Sequence, residues 1–363
     1  LEEKIKIRKE LFHKIYGLDI VDELLEDRDI TEIMINGYEN IFVERKGKIE
    51  KLPVAFASKE RLSDVIQRIV SRINRTVNES SPIVDARLKD GSRVNVVLDP
   101  VAINGPIVTI RKFSKDISDG NKLIELGTIN QELCDLFREL VRCGYNIFVS
   151  GSTASGKTTF LNVLSDFIPG EERVITIEDS VELKLKNIDN LVTMESRNQN
   201  VSGKNRVSIR DLIKTSLRMR PDRVIVGEVR GDECIDMLQA MNTGHDGSMS
   251  TGHANSPRDM LLRLETMVLM GTDIPISAVR NQIAAGIDLI VHLSRYKDGS
   301  RKVSLISEVS GIKNGEIVLN HIYEFVEKGE DENGKILGDF VKRGELKARW
   351  KLERVRGREK EEK

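Results

Sequence analysis

The order of residue patterns along this chain predicts an α/β protein, with a parallel-sheet core behind a smaller α+β N-terminal domain. Residues 151 to 158 read GSTASGKT, a G-x-x-x-x-G-K-[ST] run. It lies between the apolar strand pattern of Tyr145 to Ser150 and the helical spacing of Phe160, Val163, Leu164 and Phe167. Beyond it, strand-like and helix-like segments alternate, the order that parallel strands joined by crossover helices require. Before it, short strand patterns group together with helices on one side. At 363 residues the chain exceeds what one core supports, which also indicates two domains.

The N-terminal domain is expected over residues 1–113. Its first 27 residues are charge-rich and helical in pattern. Glu32 to Asn36 and Asn40 to Arg45 alternate as hairpin strands, with Gly37 at the turn. Leu62, Val65, Ile66, Ile69, Val70 and Ile73 form the stripe of an amphipathic helix. Ile83 to Leu88, Ser92 to Leu98 and Ile107 to Phe113 read as further strands. A polar linker is expected at 114–122, the main α/β domain at 123–325, and a charged, weakly ordered tail at 326–363.

The GSTASGKT run predicts a phosphate-binding loop. Gly151 and Gly156 let the backbone curl, so that amides from Ser152, Thr153, Ala154 and Ser155 point inward at a polyphosphate. Lys157 adds charge for the β- and γ-phosphates, and the Thr158 hydroxyl, followed by Thr159, can ligate Mg²⁺. The anion then also lies at a helix N-terminus. ATP and Mg²⁺ are the ligands expected. Ala154 tolerates positive φ poorly, so either it stays at negative φ or the loop is strained.

Acidic residues fall where the next strands end, the side of such sheets on which ligands collect. RVIVGEVRG finishes in Glu228, a candidate holder of Mg²⁺ or its water shell. RVITIEDSVE leaves Glu178 and Asp179 at a strand terminus, where a carboxylate can polarise an attacking water. The helix between them starts with a Ser208/Asp211 capping box, buries Ile209, Leu212, Ile213 and Leu217, and ends by Pro221. His253 lies in a strand-to-helix loop, before a helix with Ser256 as N-cap, Pro257 at N1 and Asp259 at N3. Its imidazole can reach a terminal phosphate. A metal pair of His245 and His253 lacks a third ligand at usable spacing. Arg87, Arg93 and Arg111, on neighbouring strands of the first domain, are the candidate donors of positive charge.

Composition excludes several classes. A net charge of −1 gives no global field for nucleic acid or anionic lipid, and 4% aromatic residues leave few stacking platforms, so no nucleic-acid partner is expected. No integral membrane segment is expected either, since no stretch approaches ~18 apolar residues. Cys134, Cys143 and Cys234 are scattered and read as small buried hydrophobes of a reducing compartment.

These motifs, in this order, resemble the secretion ATPase superfamily of type II and type IV secretion and type IV pilus motors. More specifically the chain resembles the CpaF type of Tad-pilus (Flp-pilus) assembly ATPase. The likeness rests on DITEIMING, DARLKDGSRVN, VTIRKF, TIEDSVEL, SIRDLIKTSLRMRPDRVIVGEVRG, DMLQAMNTGHDGSMSTGHANSPRD and the run from LRLETMVLM to IDLIVHLSRYKDGSRKVSLISEV. The resemblance implies a RecA-like P-loop NTPase core and a homo-hexamer. It also implies ATP hydrolysis working on inner-membrane platform proteins, and a cytoplasmic location at the inner face of that membrane. It makes Glu178 the general base within an Asp box, Glu228 the Walker B glutamate and His253 the His box. Arg93 and Arg111 become the arginines that reach the phosphates, while Arg87, Arg218 and Arg230 fall within motifs with less definite roles. Gly252 replaces a common Val before the His box, which should loosen that loop. A type IV secretion ATPase shares the same core, and a RecA-like DNA translocase or a non-hydrolysing nucleotide sensor are the more distant alternatives.

Overall fold

The computed structural model describes residues 17–45, 47–71, 77–88, 90–112, 119–197 and 206–353. The chain divides into two compact units, Leu1–Lys115 and Asp116–Lys363. The first 16 residues of the expected N-terminal helix, Ile73, Phe113 and most of the expected linker lie outside the described residues.

In the first unit, strands β1 (Ile30–Asn36), β2 (Ile41–Arg45), β3 (Lys48–Lys51), β4 (Ile83–Arg87), β5 (Arg93–Val97) and β6 (Ile107–Arg111) form an antiparallel sheet of order β3-β2-β1-β6-β5-β4. Helices α1 (Ile20–Glu26) and α2 (Lys59–Ser71) share one core with it. Leu62, Val65, Ile66, Ile69 and Val70 of α2 are buried. Side chains of this size each contribute about 1.5–3 kcal/mol on burial.

The second unit is a nine-stranded mixed sheet of order β15-β14-β13-β12-β7-β11-β10-β8-β9. Its parallel part comprises β7 (Ile147–Gly151), β8 (Arg173–Glu178), β9 (Asn190–Glu195), β10 (Arg223–Val226), β11 (Met249–His253) and β12 (Leu289–Arg295). Two hydrophobic clusters cover the sheet. One includes residues of α4 (Gln131–Arg142) and α5 (Lys157–Ser165), and α3 (Gly120–Glu125) packs there too. The other includes residues of α6 (Ile209–Ser216), α7 (Cys234–Asn242), α8 (Pro257–Gly271) and α9 (Ile276–Gly286). The Ser208 capping box and the Ser256 cap with Pro257 at N1 are both formed.

The expected weakly ordered tail is corrected. Strands β13 (Arg301–Lys313), β14 (Glu316–Glu330) and β15 (Ile336–Lys342) extend the sheet antiparallel to β12. Most of their charged residues are exposed, with Lys302 and Glu308 as buried exceptions, and Phe325 meets Tyr296 edge-on and Phe340 at a tilt. Further along, Lys351 is buried, its Nζ bonded to Asp288 at 2.7 Å and to the Gly144 carbonyl at 2.9 Å. Residues 354–363 lie outside the described residues.

Candidate active site

The site forms where β7, β11, β10 and β8, adjacent in the sheet, reach their carboxyl ends. Strand β7 is buried along its whole length and runs straight into the loop, and α5 leaves it with Gly156 as N-cap at φ 92°. That left-handed conformation suits glycine. Ala154 also adopts positive φ, 60°, so the loop is strained there, a cost of about 1–2 kcal/mol for an L-residue. Ser152 and Thr153 are exposed, Thr158 and Thr159 half-buried, and Ser155 and Lys157 buried.

A chain of polar contacts crosses the strand ends. Lys157 Nζ donates to the Ser152 carbonyl at 2.9 Å and to His253 Nδ1 at 3.2 Å. Because the ammonium is a donor only, Nδ1 accepts, and the neutral ring carries its N–H on Nε2. His253 Nε2 stands 3.0 Å from Glu228 Oε1 at an angle that makes no hydrogen bond, and Arg230 Nη2 donates to Glu228 Oε2 at 2.7 Å. Arg230 Nη1 lies 3.9 Å from Asp179. Burial pushes the Glu228 carboxyl up, but the Arg230 hydrogen bond and charge, with His253 and Lys157, outweigh it and hold it below the ordinary carboxylate range. Burial and then the Lys157 charge depress His253, against the pull of Glu228.

Glu178 behaves differently. It is 3% exposed, and its carboxylate accepts the backbone N–H groups of Glu182 at 3.0 Å and Leu183 at 3.2 Å. Both oxygens serve this loop, the second through Leu183 at 3.3 Å. Two loop amides thus pin this carboxylate and staple the following loop to the end of β8, while taking only part of its four lone-pair sites.

Arg93 and Arg111 lie in the first unit, directly opposite each other on β5 and β6, and Arg87 lies opposite Arg93 on β4. Like charges in register on one sheet face repel; Glu32 of β1 lies opposite Arg111 on its other side. His245 bonds the Ala240 carbonyl instead of joining His253. Gly252 does not loosen its loop: it sits in the β11 ladder, and a Cβ there would lie 2.9 Å from Met260 and 3.0 Å from Phe148. Arg301, which sequence reasoning passed over, donates from Nε to the Ala154 carbonyl at 2.9 Å. The D-G-S turn just before it marks a hairpin, but nothing in the sequence aims it at a loop 147 residues earlier.

The donor set fits a magnesium polyphosphate. Ser155 Oγ is buried beside the curled amides and accepts or donates no hydrogen bond among the described residues. Lys157 and the N-terminus of α5 supply positive potential. Among the described residues no group of three or more His, Cys, Asp or Glu side chains could hold a metal by itself. Mg²⁺ ordinarily takes one or two protein ligands and the phosphates, which Thr158 and Glu228 could provide.

Comparison with known proteins agrees with this layout. A putative conjugal transfer protein of Mycobacterium tuberculosis is 30% identical over 300 residues, covering 81% of this chain and 85% of that one. VirB11 of the Brucella suis type IV secretion system is 31% identical over 307 residues, covering 77% and 84%. In structure, the chain is similar to the DotB ATPase of Yersinia pseudotuberculosis, with TM-score 0.58, 20% identity and coverage of 80% and 77%. It is also similar to the pilus retraction motor PilT solved with ADP, with TM-score 0.57, 20% identity and coverage of 94% and 88%. These structural likenesses establish an α/β fold with a P-loop NTPase-like core. No helix among the described residues is long and apolar enough to cross a membrane. The family model described as type II/IV secretion system protein matches residues 15–323, so the chain belongs to the type II/IV secretion ATPase family.

Proposed function

We propose that this protein hydrolyses ATP with Mg²⁺ to power assembly of a Tad-type or type IV-like pilus, as a homo-hexamer on inner-membrane platform proteins at the cytoplasmic face. The observation that carries the hydrolytic part is the Lys157–His253–Glu228–Arg230 chain at the mouth of the loop. In this reading the loop amides from Ser152 to Gly156 and Lys157 bind the β- and γ-phosphates, Thr158 would ligate the metal, and Glu228 would hold its water shell. A Mg²⁺ ion held by these residues would supply charge neutralisation at the phosphate oxygens. Glu228, ionised and with one oxygen that accepts no hydrogen bond, accepts the proton of the attacking water, and His253 fixes its position while reporting on the terminal phosphate. Glu178 stiffens the neighbouring loop. Arg93 and Arg111 take their role from the family resemblance, as cations that approach the phosphates from the N-terminal domain.

A second reading, an ATPase for protein or DNA–protein export through a type IV system, is favoured by the conjugal-transfer and VirB11 relatives. Deleting the gene and scoring surface pili against substrate export separates the two. The hydrolytic claim is tested by Lys157→Ala, which should abolish phosphate release and leave the melting transition in place; wild-type release from that variant rules the claim out. Mass measurement with a non-hydrolysable ATP analogue tests the hexamer.

A further inference from the structure

We infer that Arg301 is a positioning residue for the phosphate loop, holding the strained peptide at Ala154 in the curl that turns the loop amides inward. The inference rests on the proposed nucleotide-binding role of that loop. At φ 60° the Ala154 Cβ crowds the following carbonyl, a conformation that an L-residue leaves unless something holds it. The Ala154 carbonyl is the atom that Arg301 Nε engages, at 2.9 Å. A guanidinium is always charged and presents its donors in a rigid fork, so this bond is charge-assisted and directional. The side chain also lies along the loop: its Cδ is 3.2 Å from where a Cβ on Gly156 would stand. One arginine therefore holds the Ala154 carbonyl by a hydrogen bond and runs past Gly156, where a side chain would crowd it.

The brace is itself anchored. Arg301 opens β13 directly after a tight hairpin, in which Tyr296 N–H donates to the Ser300 carbonyl and Asp298 accepts the Ser300 amide, each at 2.9 Å. The other Asp298 oxygen accepts the Ile336 amide of β15 at 2.8 Å. On the far side of the hairpin, Leu293 of β12 lies in register with Gly151, the last residue before the loop. The hairpin is thus fixed at both flanks, and the phosphate loop is supported from the antiparallel extension of the sheet.

Strain at residue 154 and the need for Arg301 should be coupled, which a purely global structural role would not produce. Glycine adopts φ 60° without penalty, so the brace matters less when residue 154 is glycine. The experiment compares the wild-type chain, Ala154→Gly, Arg301→Ala and the double variant. Two readouts are used: ADP affinity by calorimetry in magnesium buffer, and hydrogen exchange of the peptide covering residues 147–158 without nucleotide. With Ala154 in place, Arg301→Ala should weaken ADP binding about fivefold or more and speed exchange of the loop. In the Ala154→Gly background the same substitution should change affinity by less than about twofold, with little change in exchange. Arg301→Lys should recover part of the loss. Equal losses in both backgrounds, or no effect of Arg301→Ala on either readout, overturn the inference. If the wild type binds no ADP, the nucleotide reading fails, and the exchange comparison alone decides the role of Arg301.

Discussion

Glu178 and Glu228 stand at the ends of neighbouring parallel strands, β8 and β10, and in sequence they look alike: an apolar run closing on a carboxylate. The folded chain separates them by what lies next to each. After Glu178 the backbone turns back so that the amides of Glu182 and Leu183 meet its oxygens, and the side chain is sealed at 3% exposure. After Glu228 the chain leads to Arg230, which takes one oxygen, while the other faces His253 and accepts no hydrogen bond. A carboxylate can do chemistry when an oxygen is left over for a proton or a metal; a strand-end position alone does not confer that.

The sharpest way to break this contrast is to remove charge at each end without changing shape. Glu228→Gln should lower turnover by about 10²–10⁴-fold and leave the urea-unfolding midpoint within error, since its role lies in the reaction. Glu178→Gln replaces one accepting oxygen by an NH₂ that faces backbone N–H groups. It should cost about 1–3 kcal/mol of stability by urea unfolding, with a much smaller loss in turnover per folded molecule. The reverse outcome, a stable Glu178→Gln protein without turnover, would restore Glu178 as the base and remove the distinction drawn here.

A smaller effect asks whether the Glu228 end is completed by cations beyond Arg230. Arg93→Ala should reduce kcat about tenfold while changing KM for ATP by less than about threefold, if its charge acts on the transition state. A raised KM at unchanged kcat would instead make it a ground-state binding residue. Turnover unaffected in both respects would confine the Arg87–Arg93–Arg111 row to the sheet of the first unit.

What the sequence made legible follows from whether the cause is local. The phosphate loop, the Ser208 capping box and the α2 stripe are set by spacings of a few residues, and each is where the pattern puts it. Ala154 could be read as a choice between two conformations, and the resolution to φ 60° needed the contacts around it. Contacts from distant residues were not legible. Whether Glu178 is stapled depends on where the next loop folds, and Arg301 reaches Ala154 across the sheet. Strands β14 and β15 run through charged sequence whose burial follows no strict period of two, so composition there reads as a loose tail. At Gly252 the close approach of Met260 and Phe148 leaves no room for a side chain, and His253, expected in a loop, is instead the last residue of β11.

The smallest effect expected is in pH, and it touches one strand end only. The folded value of His253 lies below its ordinary 6.5, through burial first and the charges of Lys157 and Arg230 next, against Glu228. A histidine depressed in this way contributes stability above pH 6.5, where folded and unfolded forms are both neutral. That contribution is lost as pH falls through the folded value, because the unfolded chain takes up the proton first. The same sign applies to turnover: the neutral ring accepts from Lys157, and protonating Nδ1 would set two positive charges face to face. Glu228, also depressed, stays ionised through this window. Turnover should therefore be level between about pH 8 and about pH 6.5 and fall only below that, as pH passes through the depressed value of His253. His253→Gln, which keeps a polar side chain but cannot titrate, should flatten that fall, whereas Glu178→Gln should keep the wild-type profile. An identical profile in all three proteins would show that the titrating group lies outside the Lys157–His253–Glu228 chain.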